Sequence, residues 1–210
     1  MNDPMPALAQ RILTDAGARR RFIVAIAGPP AAGKSVLAEK LRQLLDQETG
    51  KACAAVFPLD GFHFDDCVLE ARGQRNRKGA PFTFDVRGYA ATLRRIRQGE
   101  EEVAIPIFDR SMELSRAGAA IIESRHRIIL TEGNYLLLDE APWAALRPLY
   151  DLCVLLKAPE DILHRRLTQR WLTHGKTLDA AENWIATNDL PNIRHVLAHS
   201  GQADVVFNAA

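Results

Sequence analysis

One eight-residue motif constrains this chain more than any other feature of its sequence. Residues 28–35 read Gly-Pro-Pro-Ala-Ala-Gly-Lys-Ser, which satisfies G-x-x-x-x-G-K-[ST] in full. In such a motif the backbone N–H groups converge on a phosphate, the lysine reaches the β- and γ-phosphates, and the hydroxyl ligates Mg²⁺. The motif therefore predicts bound ATP or GTP together with Mg²⁺. The predicted nucleotide contacts are Gly28, Pro29, Pro30, Ala31, Ala32, Gly33, Lys34, Ser35 and Val36.

The residues on either side of the motif predict the strand–loop–helix context that such a phosphate site requires. Phe22–Ala27 is a continuous apolar run of strand length, which is typical of a strand covered on both faces. After the motif, apolar residues recur at helical spacing from Val36 to Leu45, and the pattern ends near Gly50. The positive N-terminus of this helix is therefore expected to face the phosphates.

Apolar runs of strand length alternate with amphipathic segments along the rest of the chain. This alternation predicts an α/β fold of the P-loop NTPase type, with a doubly wound, mostly parallel sheet flanked by helices. The predicted strands are Phe22–Ala27, Ala52–Leu59, Val103–Phe108, Arg127–Thr131, Leu152–Leu156 and Ala203–Phe207. Further helices are predicted over Val86–Gln98, Asp161–Trp171 and Asp179–Asn188, the last with Asp179 and Glu182 at capping-box spacing. No linker divides the chain, so a single domain over residues 1–210 is expected, with residues 1–21 as a helical arm.

Composition and charge exclude several classes of function. Lys plus Arg number 27 and Asp plus Glu number 26, so the net charge is +1 and the basic excess of a nucleic-acid-binding protein is missing. With 47% hydrophobic and 25% charged residues, the chain can bury a core and is unlike a disordered protein. Three scattered cysteines and the lack of a membrane-spanning apolar run predict a cytoplasmic protein without membrane insertion. The expected partners are a small-molecule substrate and a second copy of the chain in a homodimer.

Two acidic residues follow predicted strands, at the sheet edge where ligands bind in open α/β folds. Asp60 comes directly after a strand, and so does Glu132. Phosphoryl transfer needs carboxylates near Mg²⁺ and near the substrate hydroxyl, so both residues are candidate metal ligands beside Ser35 and candidate substrate contacts. His63, close behind Asp60, is a further candidate substrate contact. Capping of the following turn is the alternative role for either carboxylate.

Two arginines lie one turn apart in the predicted helix Asp161–Trp171. Residues at the spacing of Arg166 and Arg170 point in the same direction, so both guanidinium groups can contact one ligand. Arginines supplied in cis stabilise the charge that spreads over the γ-phosphoryl oxygens during transfer. We therefore predict that both arginines bind the nucleotide and act in catalysis, the alternative being an ordinary basic helix face.

The order of several segments resembles that of the uridine kinase, phosphoribulokinase and bacterial pantothenate kinase superfamily. These segments are Gly28–Ser35, Asp60-Gly61-Phe62-His63, Phe84-Asp85, Glu132-Gly133-Asn134-Tyr135 and Arg166-Leu167-x-x-Arg170. The resemblance covers nearly all of the chain after Arg21 and is closest to the branch of fructose transport system kinases and nucleoside-kinase-like proteins. It implies an ATP-dependent kinase in which Asp60 is the base that activates the acceptor hydroxyl. It also implies that residues 160–178 form a small helical lid over ATP.

The segment Phe108–Arg116 departs from the uridine kinase pattern. Glu113 stands where uridine kinases carry a histidine, and Ser115 where they carry an arginine, and in those enzymes the two side chains hold the nucleoside. The departure favours a small neutral polyhydroxy acceptor, a sugar first, with a uridine-type nucleoside or pantothenate as alternatives. The candidate acceptor contacts in this segment are Phe108, Asp109, Arg110 and Glu113, and a surface cluster of ion pairs is their alternative role.

The basic segment Arg72–Lys78 is flanked by glycine and predicts an exposed loop. Such charge runs usually lie on a solvated surface, although the position after Asp60 also suits a flap over the substrate. A phosphorylated acceptor is disfavoured unless this loop folds over the site. A non-catalytic, nucleotide-binding regulator of a sugar transporter is the alternative of a different class. Asp60 and the two arginines argue against it, because a sensor needs no acceptor base.

Overall fold

The computed structural model describes residues 4–208, whose strands form one parallel sheet and one separate hairpin. The strands are β1 (Phe22–Ala27), β2 (Ala54–Pro58), β3 (Glu102–Asp109), β4 (Leu114–Glu123), β5 (Ile128–Gly133), β6 (Leu152–Lys157) and β7 (Val205–Asn208). The sheet has five strands in the order β2-β5-β1-β6-β7, and all of its pairings are parallel. The predicted α/β fold with a parallel sheet is thus confirmed.

Helices supply the crossovers that parallel strands require. They are α1 (Met5–Ala16), α2 (Lys34–Thr49), α3 (Asp66–Ala71), α4 (Val86–Gln98), α5 (Glu160–Thr173), α6 (Leu178–Trp184) and α7 (Leu190–His199). The predicted N-terminal arm is α1, while residues 1–3 lie outside the described residues. No helix within residues 4–208 is long and apolar enough to cross a membrane.

Strand β1 is buried on both faces, which explains its continuous apolar sequence. Alternate side chains of a strand point to opposite faces of the sheet. Ile23 therefore joins the hydrophobic core that contains Tyr89 of α4. Its neighbour Val24 joins a second core, which contains Leu41 of α2. Each face of the sheet is thus covered by its own hydrophobic core.

The register of the parallel strands places the predicted site residues at one edge of the sheet. Ala27, directly before the glycine-rich loop, is paired with Gly133 of β5. Pro58 of β2 is paired with Glu132 on the other side of β5. The predicted position of Glu132 after a strand is wrong, because β5 extends to Gly133 and Glu132 is its last residue but one. Because the strands are parallel, the carboxyl ends of β2 and β5 still bring Asp60 and Glu132 beside the loop.

The strand predicted over Val103–Phe108 lies outside the parallel sheet. It belongs to β3, which pairs antiparallel with β4. Strand β4 was not predicted, because half of its ten residues are exposed and Ile122 is its one buried residue. The hairpin packs on the 3₁₀ turn Leu59–Phe62 that follows β2, where a Cβ on Gly61 would lie 2.3 Å from the carbonyl oxygen of Pro106.

The helix predicted over Asp179–Asn188 is interrupted by a π-helical turn. The turn, Ile185–Asp189, connects α6 to α7. The capping box predicted at the start of α6 is wrong, because Thr177 caps the helix and accepts a hydrogen bond from the backbone N–H of Ala180 at 3.3 Å. Glu182 instead accepts a hydrogen bond from a threonine hydroxyl of α5.

We expect Gly61→Ala to destabilise the protein by about 1–3 kcal/mol, the usual cost of overpacking a tight contact. The new methyl group meets backbone atoms of β3 rather than a flexible side chain, so the hairpin has to move away from the turn. Gly201→Ala is the matched control, because a Cβ there has its nearest heavy atom at 3.6 Å. Urea unfolding measures both variants, and equal midpoints for the two would contradict the expectation.

Candidate active site

The glycine-rich loop between β1 and α2 packs closely against β6. Gly28 has a φ of 154°, and a Cβ there would lie 2.5 Å from the carbonyl oxygen of Leu156, so the close approach requires glycine. Lys34 begins α2 and its Nζ donates to the carbonyl of Pro29 at 3.0 Å. Burial lowers the pKa of the Lys34 ammonium group. The loop is therefore held in a tight conformation whose lysine already lies inside it.

The loop forms one wall of a cavity of about 900 Å³. Most of the predicted site residues line this cavity: Pro30, Ala31, Ala32, Gly33, Lys34, Ser35, Val36, Asp60, His63, Phe108, Arg110, Glu113, Glu132, Arg166 and Arg170. Three predicted residues do not line it, namely Gly28, Pro29 and Asp109. The structure thus brings together side chains from the loop, the ends of two strands, the hairpin and α5.

Ser35 and Glu132 form the part of the cavity that could hold a cation. The Ser35 hydroxyl donates to Oε1 of Glu132 at 3.1 Å. Burial, reinforced by the charge of Asp60, raises the pKa of Glu132 to about 7. Within residues 4–208, no group of three or more His, Cys, Asp or Glu side chains could hold a metal by itself. Magnesium bound with a nucleotide takes one or two carboxylates together with phosphate oxygens, so this hydroxyl–carboxylate pair fits that ion.

Asp60 lies in the 3₁₀ turn after β2 and is bonded to the hairpin. Nη2 of Arg110 donates to its Oδ2 at 2.6 Å. Burial alone would raise the pKa of Asp60, but neighbouring His63 and the cations Arg110 and Lys34 hold it below its usual value. The two carboxylates of the cavity therefore differ in proton affinity, since the pKa of Glu132 is raised and that of Asp60 is lowered.

His63 contributes an aromatic wall to the cavity. Its ring centroid lies 4.0 Å from that of Phe84 and 5.0 Å from that of Phe108. Its Nδ1 lies 2.8 Å from the carbonyl oxygen of Asp60, an oxygen that can only accept. Burial lowers the pKa of His63. The ring therefore presents its Nε2 edge and an apolar face to any ligand on this side.

Asp109 has a structural role in the hairpin rather than a place in the cavity. Its Oδ1 accepts hydrogen bonds from the backbone N–H of Ser111 at 3.0 Å and from the Ser111 hydroxyl at 2.6 Å. These bonds stabilise the turn between β3 and β4, which carries Arg110 and Glu113 into the cavity. The prediction of Asp109 as an acceptor contact is wrong, because Asp109 does not line the cavity and instead stabilises the turn that carries those two residues.

The two arginines of α5 both line the cavity, as their spacing predicts. Nη1 of Arg166 donates to the carbonyl of Ala31 in the glycine-rich loop at 3.3 Å. Arg170 lies with its guanidinium 5.5 Å from the Trp171 ring, and burial lowers its pKa. Arg165 is exposed and points away from the pair. Helix α5 therefore extends over the phosphate-binding loop.

The segment Arg72–Lys78 is not the solvated loop that its charge predicts. Lys78 is buried, and its Nζ donates to Asp66 at 2.6 Å and to the carbonyl of Glu113 at 2.9 Å. Arg75 pairs with the same Asp66 carboxylate at 2.6 Å, and both cations line the cavity. The segment thus folds over the site, the arrangement that the flap interpretation requires.

Several cavity residues were missed by the sequence analysis. They are Trp171, His174, Lys176, Trp184, Asp189 and Asn192, from α5 and the helical region that follows it. A tryptophan in an amphipathic helix, such as Trp171 in α5, is as typical of a core face as of a binding site. The π-helical turn that ends at Asp189 has no sequence signature. Without that turn, no pattern indicates which face of this region meets the cavity.

Comparison with curated proteins and family models identifies the relatives of this chain. Residues 23–210 match the model of the Phosphoribulokinase / Uridine kinase family. The chain is 34% identical over 188 residues to "Uncharacterized protein YggC" of Escherichia coli (strain K12), covering 90% of this chain and 78% of that protein. It is 31% identical over 157 residues to the pantothenate kinase of Sorangium cellulosum (strain So ce56), covering 74% of this chain and 51% of that enzyme. The chain therefore spans about half the length of this pantothenate kinase.

Solved structures agree with this relationship. The crystal structure of a "putative fructose transport system kinase" from Silicibacter sp. TM1040 has a TM-score of 0.92 and 39% identity, covering 98% of this chain and 100% of that chain. YFH7 from Saccharomyces cerevisiae has a TM-score of 0.88 at 17% identity over 98% of this chain and 99% of that chain, which shows a shared fold alone. The family match covers nearly all of the chain, and its glycine-rich loop is intact. The chain belongs to the phosphoribulokinase / uridine kinase family and is an ATP-dependent kinase.

Proposed function

We propose that this kinase transfers the γ-phosphoryl group of ATP to a hydroxyl group of a small polyhydroxy compound, a sugar. One observation carries the proposal: Asp60 lines the same cavity as the glycine-rich loop and Arg170. A nucleotide in the loop and a hydroxyl at Asp60 would share one space. Phosphoryl transfer depends mainly on such positioning and on charge stabilisation, because the protein has little covalent chemistry to perform.

The loop side of the cavity supplies the contacts for the nucleotide. Lys34 exchanges the carbonyl of Pro29 for the β- and γ-phosphates, while Ser35 and Glu132 hold Mg²⁺, which neutralises phosphate charge. The guanidinium group of Arg170 makes no hydrogen bond or ion pair within residues 4–208 and is half-buried, so its charge is available to the transferred phosphoryl group. Its neighbour Arg166 reaches the same phosphates from one turn earlier.

Asp60 acts as the base that receives the proton of the acceptor hydroxyl. Its lowered pKa keeps the carboxylate ionised at neutral pH. Arg110 occupies Oδ2, and Oδ1 has no hydrogen-bond partner within residues 4–208, so that oxygen is open to a hydroxyl group. A positioned base of this kind contributes about 10²–10⁴-fold to a rate.

The charges on the acceptor side support a neutral acceptor. Lys78 and Arg75 are both paired with Asp66, each at 2.6 Å. Arg110 is paired with Asp60, also at 2.6 Å. A phosphate group on the acceptor would compete with these carboxylates for the three cations, whereas a hydroxyl group can bind without breaking an ion pair.

Two further observations support a sugar rather than a nucleoside. Glu113 lines the cavity at the position where uridine kinases carry a base-binding histidine, and a carboxylate suits hydroxyl donors. The Silicibacter protein, which is 39% identical to this chain, is described as a "putative fructose transport system kinase", and fructose is a sugar. Pantothenate and uridine remain the acceptors to test against a sugar.

We expect Lys34→Ala to abolish ATP turnover and leave the fold intact, because it removes the main side-chain contact to the β- and γ-phosphates. A coupled assay of ADP release measures turnover, and circular dichroism checks the fold. Lys51→Ala is the matched control, since Lys51 is an exposed lysine outside the cavity. Unchanged turnover in Lys34→Ala would contradict the phosphate site.

We expect Asp60→Asn to lower kcat by about 10²-fold or more, because the nearly isosteric amide cannot accept the hydroxyl proton. The KM for ATP should change little. Asp139→Asn, an exposed carboxylate away from the cavity, is the control. If kcat is unchanged and the Mg²⁺ concentration needed for half-maximal activity rises sharply instead, Asp60 is a metal ligand and Glu132 becomes the candidate base.

We expect the wild type to phosphorylate a sugar such as D-fructose in a panel that also holds uridine, cytidine and pantothenate. Glu113→Gln should raise the KM for that sugar, because the amide is a weaker acceptor for hydroxyl groups. Glu48→Gln, on the exposed face of α2, is the control. Phosphorylation of uridine or cytidine with no sugar turned over would refute the sugar assignment. An unchanged KM in Glu113→Gln would remove only that residue from the site.

A further inference from the structure

The π-helical turn Ile185–Asp189 and the first turn of α7 contribute one wall of the cavity. Asp189 ends the π-helical turn, and Asn192 lies three residues later in α7. Both line the cavity. A π-helical turn changes the direction of the side chains that follow it, and such turns often occur at functional sites. Nothing in the proposed phosphoryl transfer uses this wall.

Asn188 fixes the wall to the segment that folds over the site. Its Nδ2 donates to the carbonyl of Lys78 at 2.9 Å, and its Oδ1 accepts from Nε of Arg77 at 3.1 Å. The amide is thus bonded on both of its ends. The wall and the Arg72–Lys78 segment therefore form one unit, and Asn188 itself is occupied with holding it together.

Asp189 connects the wall to α5. Its Oδ2 accepts a hydrogen bond from Nε1 of Trp171 at 2.7 Å. Its Oδ1 has no hydrogen-bond partner within residues 4–208. Burial raises the pKa of Asp189 to about 6, against the opposing effects of Trp171, Arg170 and Lys176. One oxygen of this buried carboxyl group is thus open to the cavity.

Asn192 is a polar side chain of the wall that faces the cavity. The residue is only 3% exposed, and its amide makes no hydrogen bond with a residue from 4 to 208. The amide is not among the enclosed side-chain groups that lack a partner in this range, so its atoms remain accessible from the cavity that the residue lines. An amide carries a carbonyl acceptor and two N–H donors, which are therefore available to a ligand.

We propose that Asp189 and Asn192 bind the acceptor at its end remote from the reacting hydroxyl, and that they recognise two adjacent hydroxyl groups. The inference rests on the proposed function, because it concerns the hydroxyl groups that the same sugar acceptor presents to the wall formed by Asp189 and Asn192. Asp60 contacts the hydroxyl that is phosphorylated. Asp189 and Asn192 select which compound places that hydroxyl there.

The chemistry of the pair favours hydroxyl groups over other polar groups. Each hydroxyl both donates and accepts, so it can donate to the open Asp189 oxygen while its neighbour accepts from the Asn192 amide. A carboxylate or phosphate on the acceptor would be repelled by ionised Asp189. A vicinal diol carries no charge that Asp189 would repel.

The test uses Asn192→Leu, which keeps the side-chain volume nearly constant and removes all of the hydrogen-bonding groups. With D-fructose as acceptor, the KM for the sugar should rise about tenfold or more, as expected for a lost buried hydrogen-bond partner. The kcat and the KM for ATP should stay within a factor of about three. Asn183→Leu, on the exposed face of α6, is the matched control.

Two further measurements separate binding from a structural role. The melting temperature of Asn192→Leu should be unchanged or raised, because an amide without a partner is replaced by an apolar group. Asp189→Asn, whose amide oxygen can still accept from Trp171, should also raise the KM for the sugar. Deoxy sugars that lack one hydroxyl each should show which hydroxyl is bound. Removing that hydroxyl should weaken wild-type binding and have no added effect in Asn192→Leu.

Several outcomes would overturn the inference. An unchanged KM for the sugar in both variants would remove the wall from the acceptor site, and an increase confined to the KM for ATP would place it in the nucleotide site. A lower melting temperature with equal losses for every deoxy sugar would show a structural role. A wild type that phosphorylates no sugar refutes the sugar assignment first, and this inference fails with it. A sugar kinase that is indifferent to Asn192→Leu and Asp189→Asn refutes the inference alone.

Discussion

The parallel pairing of β5 with β1 on one side and β2 on the other determines where the reactive groups lie. It sets Ala27 opposite Gly133 and Pro58 opposite Glu132. Residues at the carboxyl ends of three different strands therefore emerge at one edge of the sheet. The hydrogen bond of 3.1 Å between Ser35 and Glu132 joins side chains that are 97 residues apart in sequence, and it exists only because the strands are in this register.

Neighbouring charges give the two carboxylates at this edge different roles. Asp60 and Glu132 share one cavity, and burial acts to raise the pKa of each. For Asp60, His63 and the cations Arg110 and Lys34 outweigh burial and hold the pKa below its usual value, whereas the charge of Asp60 adds to burial and raises the pKa of Glu132 to about 7. Pairs of titratable groups whose environments move their pKa values apart are typical of catalytic sites. The ionised Asp60 suits a proton acceptor, and Glu132 beside Ser35 suits a cation that replaces the proton.

The acceptor side is assembled from parts that lack a clear sequence signal. The β3–β4 hairpin brings Arg110 to Asp60, although β4 has one buried residue and little of the alternation by which strands are recognised. Lys78 lies in a charge run typical of solvated loops, yet the fold buries it against Asp66. Asn192 belongs to a helix whose orientation depends on a π-helical turn. In each case tertiary contacts outweigh the local pattern.

The sequence by itself determined the nucleotide half of this protein. Gly28–Ser35, the apolar strand before it, the helix after it and the strand-end position of Asp60 are local features, and local sequence is sufficient because backbone geometry within a few residues creates the phosphate site. For the acceptor half, the family resemblance indicated Phe108, Arg110 and Glu113, and only the tertiary structure decided the rest. Which further side chains face the cavity there, Lys78 and Asn192 among them, depends on how the hairpin, the Arg72–Lys78 segment and the π-helical turn pack against one another. Those contacts join residues far apart in the chain, so no spacing along the sequence can specify them.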